Sequence, residues 1–326
     1  MRGRLSAAFD QFLDVHNHSD REVATLAREQ EIDIAVDLGG FTQDSRTAIF
    51  AMRAAPIQVN YLGYPGTMGA GYIDYLIADS IVVPKAQQHH YAEKIAYLPN
   101  SFQINDTKQR ISDGAISREE LGLPSTGFVF CCFNNSYKVA PNVFDSWMRI
   151  LNRVESSVLW LRQENEWASK NLWKEAARRG VSTDRIIFAK RLPMSEHFAR
   201  HRVADLFLDT LPYNAHATAN DALWAGLPVL TLIGETFPGR VAASLLNAIR
   251  LPELITNTPE EYERLAVELA TNPDTLREIR VRLANNRLTT PLFDIRLFTA
   301  HIEAAYAAMY ERYQDGLSPD HIYVPA

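Results

Sequence analysis

Apolar positions in the first hundred residues alternate between the spacing of a helix and that of a strand. Ser19-Asp20 reads as a capped helix start with Val23 and Leu26 on one face, and IDIAVDL (32–38) follows as a strand. The pattern then repeats. A helix through SRTAIFAMR (45–53) leads to a strand at PIQVNYL (56–62), a Gly/Pro-rich loop GYPGTMGAGY (63–72), a strand at IDYLIAD (73–79), a short helix near Gln87 and a strand at KIAYLP (94–99). Strands separated by helices predict a parallel sheet.

Between about Asn105 and Gly127 the apolar period is lost, which predicts a linker holding one short helix. Strands resume at FVFCCF (128–133), SVLWL (157–161), RIIFA (185–189), DLFLD (205–209) and PVLTLI (228–233), each followed by a helical segment. In the first of these helices Pro141 sits near the start, and Val143, Trp147, Ile150, Leu151 and Val154 share a face. Helices at 259–272 and 273–287 and an amphipathic one from about 294 to 314 follow, and no repeat or low-complexity tract interrupts them. The expected organisation is a partial Rossmann-like domain over 1–104, a linker over 105–127 and a doubly wound domain over 128–326. Such sheets bind ligands at the carboxyl ends of their strands, so a crevice between the two is the expected site.

Composition narrows the partners. Lys and Arg number 33 against 39 Asp and Glu, a net charge of −6, and the basic residues are scattered, which argues against a nucleic-acid surface. Cys131 and Cys132 are adjacent and face opposite sides of a strand, so they form neither a disulfide framework nor a CxxC site, and a reducing compartment is expected. The N-terminus lacks a signal-peptide core, and the longest apolar run, about Ala222 to Ile233, is broken by Gly226 and Pro228. A cytoplasmic protein without a membrane partner is the expectation.

Three stretches carry candidate chemistry. Asp209 to Asp221 (DTLPYNAHATAND) leaves a strand and runs into a helix; Ala215, Ala217 and Ala219 permit close backbone approach, and the free N–H groups of the helix start favour a phosphate. There His216 could donate to a phosphate or sugar oxygen, Thr218 could bind phosphate or merely cap the helix, and Asp221 could accept from ribose hydroxyls. In FNNSYK (133–138), Lys138 follows a strand, where its charge could offset that of a departing diphosphate, or it could be an ordinary solvated lysine. His197, Arg200 and His201 share a helical face, but Glu196 precedes the histidine where a zinc protease needs it to follow, so zinc is not expected. Asp37-Leu-Gly-Gly-Phe-Thr42 and Gly63-Tyr-Pro-Gly-Thr67 are glycine-bearing loops at strand ends. Neither the dinucleotide GxGxxG nor the GxxxxGK[ST] phosphate loop is present.

Taken in order, these segments resemble the catalytic region of the O-linked N-acetylglucosamine (O-GlcNAc) transferase family and its bacterial SPINDLY-like branch. The resemblance rests on APIQVNYLGYPGTMGAGYIDYLIAD, LPNSFQIND, FNNSYKVAP, the EH…R helix, ADLFLDTLPYN with the following His, Thr and Asp, LWAGLPV, and GETFPGRVAASLL, and it covers about Asp33 to Tyr313. It implies a GT-B fold and inverting transfer of N-acetylglucosamine from UDP-GlcNAc to Ser or Thr of a protein acceptor, with no metal and no further cofactor. It places Asn135, Tyr137 and Lys138 at the uridine and diphosphate, His197 and Arg200 near the nucleotide, His216 and Thr218 at the phosphates and sugar, and Asp221 at the ribose. Thr42 and Gly66 would face the acceptor. Lys138 and His216 would be catalytic, and either a donor phosphate oxygen or Asp37 would take the hydroxyl proton.

The sequence departs from the family in three respects. The strand and histidine-bearing loop that usually open the first domain would precede residue 1, superhelical repeats are not present, and Ala217 stands where animal enzymes carry a threonine. A related transferase using GDP-fucose or UDP-glucose, a catalytically inactive nucleotide-binding fragment, and, more distantly, a nucleotide-sugar epimerase are the alternatives.

Overall fold

A computed structural model describes residues 2–114 and 116–326. Its strands are β1 (Ile34–Asp37), β2 (Ile57–Asn60), β3 (Tyr75–Asp79), β4 (Lys94–Leu98), β5 (Phe128–Cys132), β6 (Ser157–Arg162), β7 (Ile186–Ala189), β8 (Leu206–Leu208), β9 (Val229–Leu232), β10 (Ile255–Thr256) and β11 (Ile322–Tyr323). The α-helices are α1 (Arg2–Ser6), α2 (Asp20–Glu29), α3 (Ala48–Ala51), α4 (Pro141–Arg153), α5 (Glu166–Arg178), α6 (Met194–Arg200), α7 (Ala217–Ala225), α8 (Val241–Ala248), α9 (Pro259–Thr271), α10 (Pro273–Thr289) and α11 (Ile295–Gln314). None of the described helices is long and apolar enough to cross a membrane.

The chain forms two compact units. Unit 1 comprises Met1–Ile77, Gln87–Tyr97 and Glu303–Tyr323, and unit 2 comprises Ala78–Ala86, Leu98–Ile302 and Val324–Ala326. The sequence reading left residues 303–323 with the second domain; the structure groups them with the first.

The sheet of unit 1 has the order β1-β2-β3-β4-β11, with parallel pairing between β1 and β2, β2 and β3, and β4 and β11. Its strands β2 and β3 are buried at every position, as in a sheet covered on both faces, although β2 carries Gln58 and Asn60. Ser19 caps α2 as the sequence predicts: its hydroxyl accepts from Glu22 N at 3.3 Å, and the Glu22 carboxylate accepts from Ser19 N at 2.7 Å, a reciprocal capping box. The helix expected over 45–53 is shorter, and the segment near Gln87 is a 3-10 turn, Lys85–His90.

Unit 2 has a six-stranded sheet in the order β10-β9-β8-β5-β6-β7, every described pair parallel. Phe130, Cys131, Leu159, Trp160, Leu206, Phe207, Val229 and Leu230 are buried in it, with Trp147 and Ile150 of α4 packed into the same core. Strand order reverses between β5 and β8: the chain leaves β5 toward β6 on one side and leaves β8 toward β9 on the other. The carboxyl ends of β5 and β8 therefore open onto a crevice bounded by their two departing loops.

Candidate active site

Those two loops carry most of the candidate residues. Residues 133–140 follow β5 through a 3-10 turn, Ser136–Lys138, in which Asn135 O accepts from Lys138 N at 3.0 Å. Lys138 reaches the loop after β8: its Nζ donates to Asn214 O at 2.8 Å and stands 3.9 Å from the centre of the Tyr213 ring. Burial lowers the ammonium pKa to about 8, opposed by the negative charge of Asp209. At neutral pH the group is mostly cationic, so the solvated-lysine alternative does not describe it.

His216 stacks on the other part of this cluster, its ring 4.8 Å from that of Tyr213 at 26°. Its Nε2 lies 3.2 Å from Pro238 O, and a carbonyl only accepts, so the hydrogen is assigned to Nε2 and Nδ1 is left as an acceptor. Burial, then the Lys138 charge, lowers its pKa to about 3. The imidazole is neutral at physiological pH.

His216 also occupies the N-cap position of α7, with no side-chain cap on the helix. Asn220 N is bonded to His216 O at 3.1 Å, while the amides of Ala217, Thr218 and Ala219 have no acceptor among the described residues. Thr218, weighed as a possible cap, instead donates its hydroxyl to Asn134 Oδ1. Asn134 Nδ2 donates to Thr210 Oγ1 at 2.7 Å, and Thr210 Oγ1 donates to Tyr213 O at 2.6 Å. Unsatisfied amides, a nearby ammonium and small side chains together suit a phosphate group. Asp221, three residues beyond Thr218, has no hydrogen-bond partner among the described residues, and burial raises its carboxyl pKa to about 7.

The helix predicted to carry His197 and Arg200 forms as α6, with Pro193 at its N-cap. Phe133, at the end of β5, is their meeting point: its ring centre lies 5.6 Å from that of His197 and 5.1 Å from that of His201, and the Arg200 guanidinium carbon stands 4.3 Å over it. His201 donates from Nδ1 to His197 O at 2.7 Å. Burial, then the Arg200 charge, lowers the His197 pKa to about 4. Arg200 is 3% exposed; burial lowers its pKa to about 10, and it stays charged. It donates from Nη1 to Lys190 O at 2.8 Å, while its buried Nε has no partner and no carboxylate pairs with it among the described residues. A buried cation in this state leaves donors for a ligand's oxygen atoms.

Not every candidate joins this cluster. Asn135 accepts at Oδ1 from Arg162, whereas Tyr137 is 71% exposed and makes no side-chain hydrogen bond among the described residues. Unit 1 holds the acceptor-side candidates. Asp37 ends β1, and its Oδ1 accepts from Gly39 N and Gly40 N, each at 2.9 Å, while Oδ2 is buried without a partner. Thr42 donates to Gly39 O at 2.9 Å, and Gly66 O accepts from Asn60 Nδ2 at 3.1 Å. Gly40 has φ +56, and a Cβ there would lie 2.3 Å from the Tyr64 Cβ, so this turn requires glycine.

Sequence reasoning assigned no role to Asn134, Asp209, Thr210, Tyr213 or Asn214. An aspartate closing a strand just before a Thr-x-Pro-x-Asn turn was a signal, because short polar side chains there bond local amides.

Comparison with known proteins identifies relatives of the chain. A protein of Arabidopsis thaliana named as a probable UDP-N-acetylglucosamine–peptide N-acetylglucosaminyltransferase, SEC, is 40% identical over 99% of this chain and 34% of its own length. A Hordeum vulgare protein named for the same probable activity, SPINDLY, is 33% identical over 94% of this chain and 32% of its own length. The chain thus spans about a third of the length of these curated relatives. Among solved structures, a variant of the Thermobaculum terrenum O-GlcNAc transferase superposes with a TM-score of 0.87 at 32% identity, covering 94% of this chain and 58% of that one. The fold is GT-B. With residues 1–114 and 114–302 both matching one family model, this chain belongs to glycosyl transferase family 41.

Proposed function

We propose that this chain is the catalytic region of a protein O-GlcNAc transferase, moving N-acetylglucosamine with inversion from UDP-GlcNAc to a serine or threonine hydroxyl. The observation that carries the reading is the meeting of Lys138 with the Asn214–His216 segment just before the uncapped start of α7. A diphosphate held there would receive hydrogen bonds from the amides of residues 217–219 and from the Lys138 ammonium. Arg200 and His197 would take the nucleoside end, and Asp221 would accept from the ribose hydroxyls.

Transfer then needs little from the protein beyond placement and charge. The acceptor oxygen attacks the anomeric carbon, the bond from that carbon to the diphosphate oxygen breaks, and the electron pair leaves with UDP. Lys138 and the α7 amides stabilise the growing charge, a function that needs no metal or other cofactor. The hydroxyl proton passes to a donor phosphate oxygen. That route is favoured over Asp37, whose Oδ1 is committed to two amides and whose Oδ2 is enclosed. His216, neutral and with Nε2–H turned to Pro238 O, orients the donor through Nδ1. Thr42 and Gly66 lie on the acceptor side in unit 1. The two free, fully buried cysteines fit a cytoplasmic setting.

Calorimetric titration with UDP and GDP, followed by turnover with UDP-GlcNAc and UDP-glucose, tests the assignment. UDP should bind and GDP should not, and Lys138→Ala should lower turnover by about 10²–10³. Preference for GDP would reject the uridine assignment. Turnover of Lys138→Ala within threefold of the parent would remove Lys138 from the chemistry.

A further inference from the structure

Asp209 follows β8 and takes no direct part in the proposed transfer. It is 3% exposed, yet its carboxylate is fully engaged. Oδ1 accepts from Thr210 N at 2.7 Å and from Ala215 N at 2.6 Å, and Oδ2 accepts from Thr231 Oγ1 at 2.7 Å. Its backbone is fixed as well, with N donating to Leu230 O at 3.0 Å and O accepting from Tyr262 Oη at 3.0 Å. The two amides bonded to Oδ1 bracket residues 210–215. One carboxylate oxygen therefore draws the ends of that loop together and turns its middle, Tyr213 and Asn214, toward Lys138.

We propose that Asp209 is a positioning residue of the transfer site: its carboxylate folds residues 210–215 into a cradle whose Asn214 carbonyl and Tyr213 ring hold the Lys138 ammonium beside the start of α7. This rests on the assignment of Lys138 to the donor diphosphate. The carboxylate acts in two ways. Geometrically, it fixes the carbonyl that accepts from Nζ at 2.8 Å and the ring face 3.9 Å from it. Electrostatically, its negative charge opposes the desolvation that would otherwise discharge the amine. Burial raises the pKa of Asp209 itself to about 7, against the hydrogen bonds from Ala215 N, Thr231 and Thr210 N and the Lys138 charge. Cys132, His216 and Tyr262 are the other titratable groups acting with this pair; at pH 7 the thiol and the phenol stay protonated and the imidazole is neutral. Asp209, about half ionised at pH 7 and mostly ionised by pH 8, and the Lys138 ammonium are thus the charges present within the cradle.

An aspartate that served packing alone would be replaceable by asparagine without a change in Lys138. Asn at 209 retains an acceptor for the two amides, and the Thr231 hydroxyl can turn to accept from its amide, so Asp209→Asn removes the charge and leaves the loop's hydrogen bonds available.

The experiment follows the protonation of Lys138 without donor, by reductive methylation of the full chain across pH 6–10 with the Lys138 peptide quantified by mass spectrometry. UDP titration on the same samples gives a second readout. In Asp209→Asn the methylation midpoint should fall by about one pH unit relative to the parent, the size expected for loss of a nearby opposite charge. UDP affinity at pH 8 should fall about fivefold with it, as the charged fraction of Lys138 drops from about a half to about a tenth. Tyr213→Leu should lower the midpoint in the same direction and Tyr213→Phe should restore it, which keeps the cradle testable should Asp209→Asn fail to fold.

An unchanged midpoint in a folded Asp209→Asn protein would overturn the electrostatic part, and an unchanged midpoint in Tyr213→Leu would overturn the cradle. Failure of the parent to bind UDP would instead sink the donor assignment while leaving the methylation result standing. The two ideas therefore fail separately.

Discussion

Asp221 presents an unpaired carboxyl on α7, and its pKa of about 7 comes from burial alone. Ribose hydroxyls would donate to the carboxylate and favour the ionised form, so UDP binding at pH 6.5 should release a proton. Calorimetry in two buffers of different ionisation enthalpy would read that release as a buffer-dependent heat, absent in Asp221→Asn; equal heats in the parent would rule it out. The sign is opposite at Lys138, whose ammonium is needed for phosphate binding. Affinity should therefore rise with pH toward about 7 as Asp221 ionises, and weaken as pH rises through about 8. Lys138, His216 and Asp221 were legible in the sequence because each follows a strand in a short loop or opens a helix. Asn134 and Thr210 were not, since their work is done with partners 76 and 84 positions away, which no local pattern encodes.

Among the elements, the central strands of unit 2 were read almost to the residue, because a strand covered on both faces is an unbroken apolar run bounded by turn residues. Strands β10 and β11 have two residues each, too short for any period to show. Helix α8 buries seven of its eight residues, so the helical segment expected after PVLTLI has no polar face to fix its bounds. The turns invite a quantitative comparison. Gly226 ends α7 with φ +87, and a Cβ there would meet only Arg287 Nη1 at 3.9 Å, so Gly226→Ala should cost only about 1 kcal/mol of backbone strain. Gly127 precedes β5 with φ +95, and its Cβ would lie 2.1 Å from Ser156 O. Gly127→Ala should therefore destabilise unit 2 several-fold more than Gly226→Ala, as measured by urea denaturation. Equal midpoints would show that the backbone at Gly127 yields freely.

At the scale of the whole molecule, the residues proposed for the donor all belong to unit 2, while Asp37, Thr42 and Gly66 belong to unit 1. UDP at about a hundred times its dissociation constant should add about 2.7 kcal/mol to the stability of what it binds. Hydrogen exchange should then slow across 133–140 and 209–221 and stay unchanged across β1 and β2. Protection of β1 equal to that of α7 would place nucleotide contacts in unit 1 as well. The pairing of β11 with β4 has a further consequence, in biosynthesis. Gln88 Nε2 donates to Tyr323 Oη at 2.9 Å, a contact spanning 235 positions, and Ile95 N donates to His321 Nδ1 at 2.9 Å across 226. A nascent chain emerging from the ribosome will have exposed every strand of unit 2 before the tyrosine that borders β4 has been translated. The portion made first is thus the one whose sheet is finished last, and β4 must wait with an open flank through most of translation.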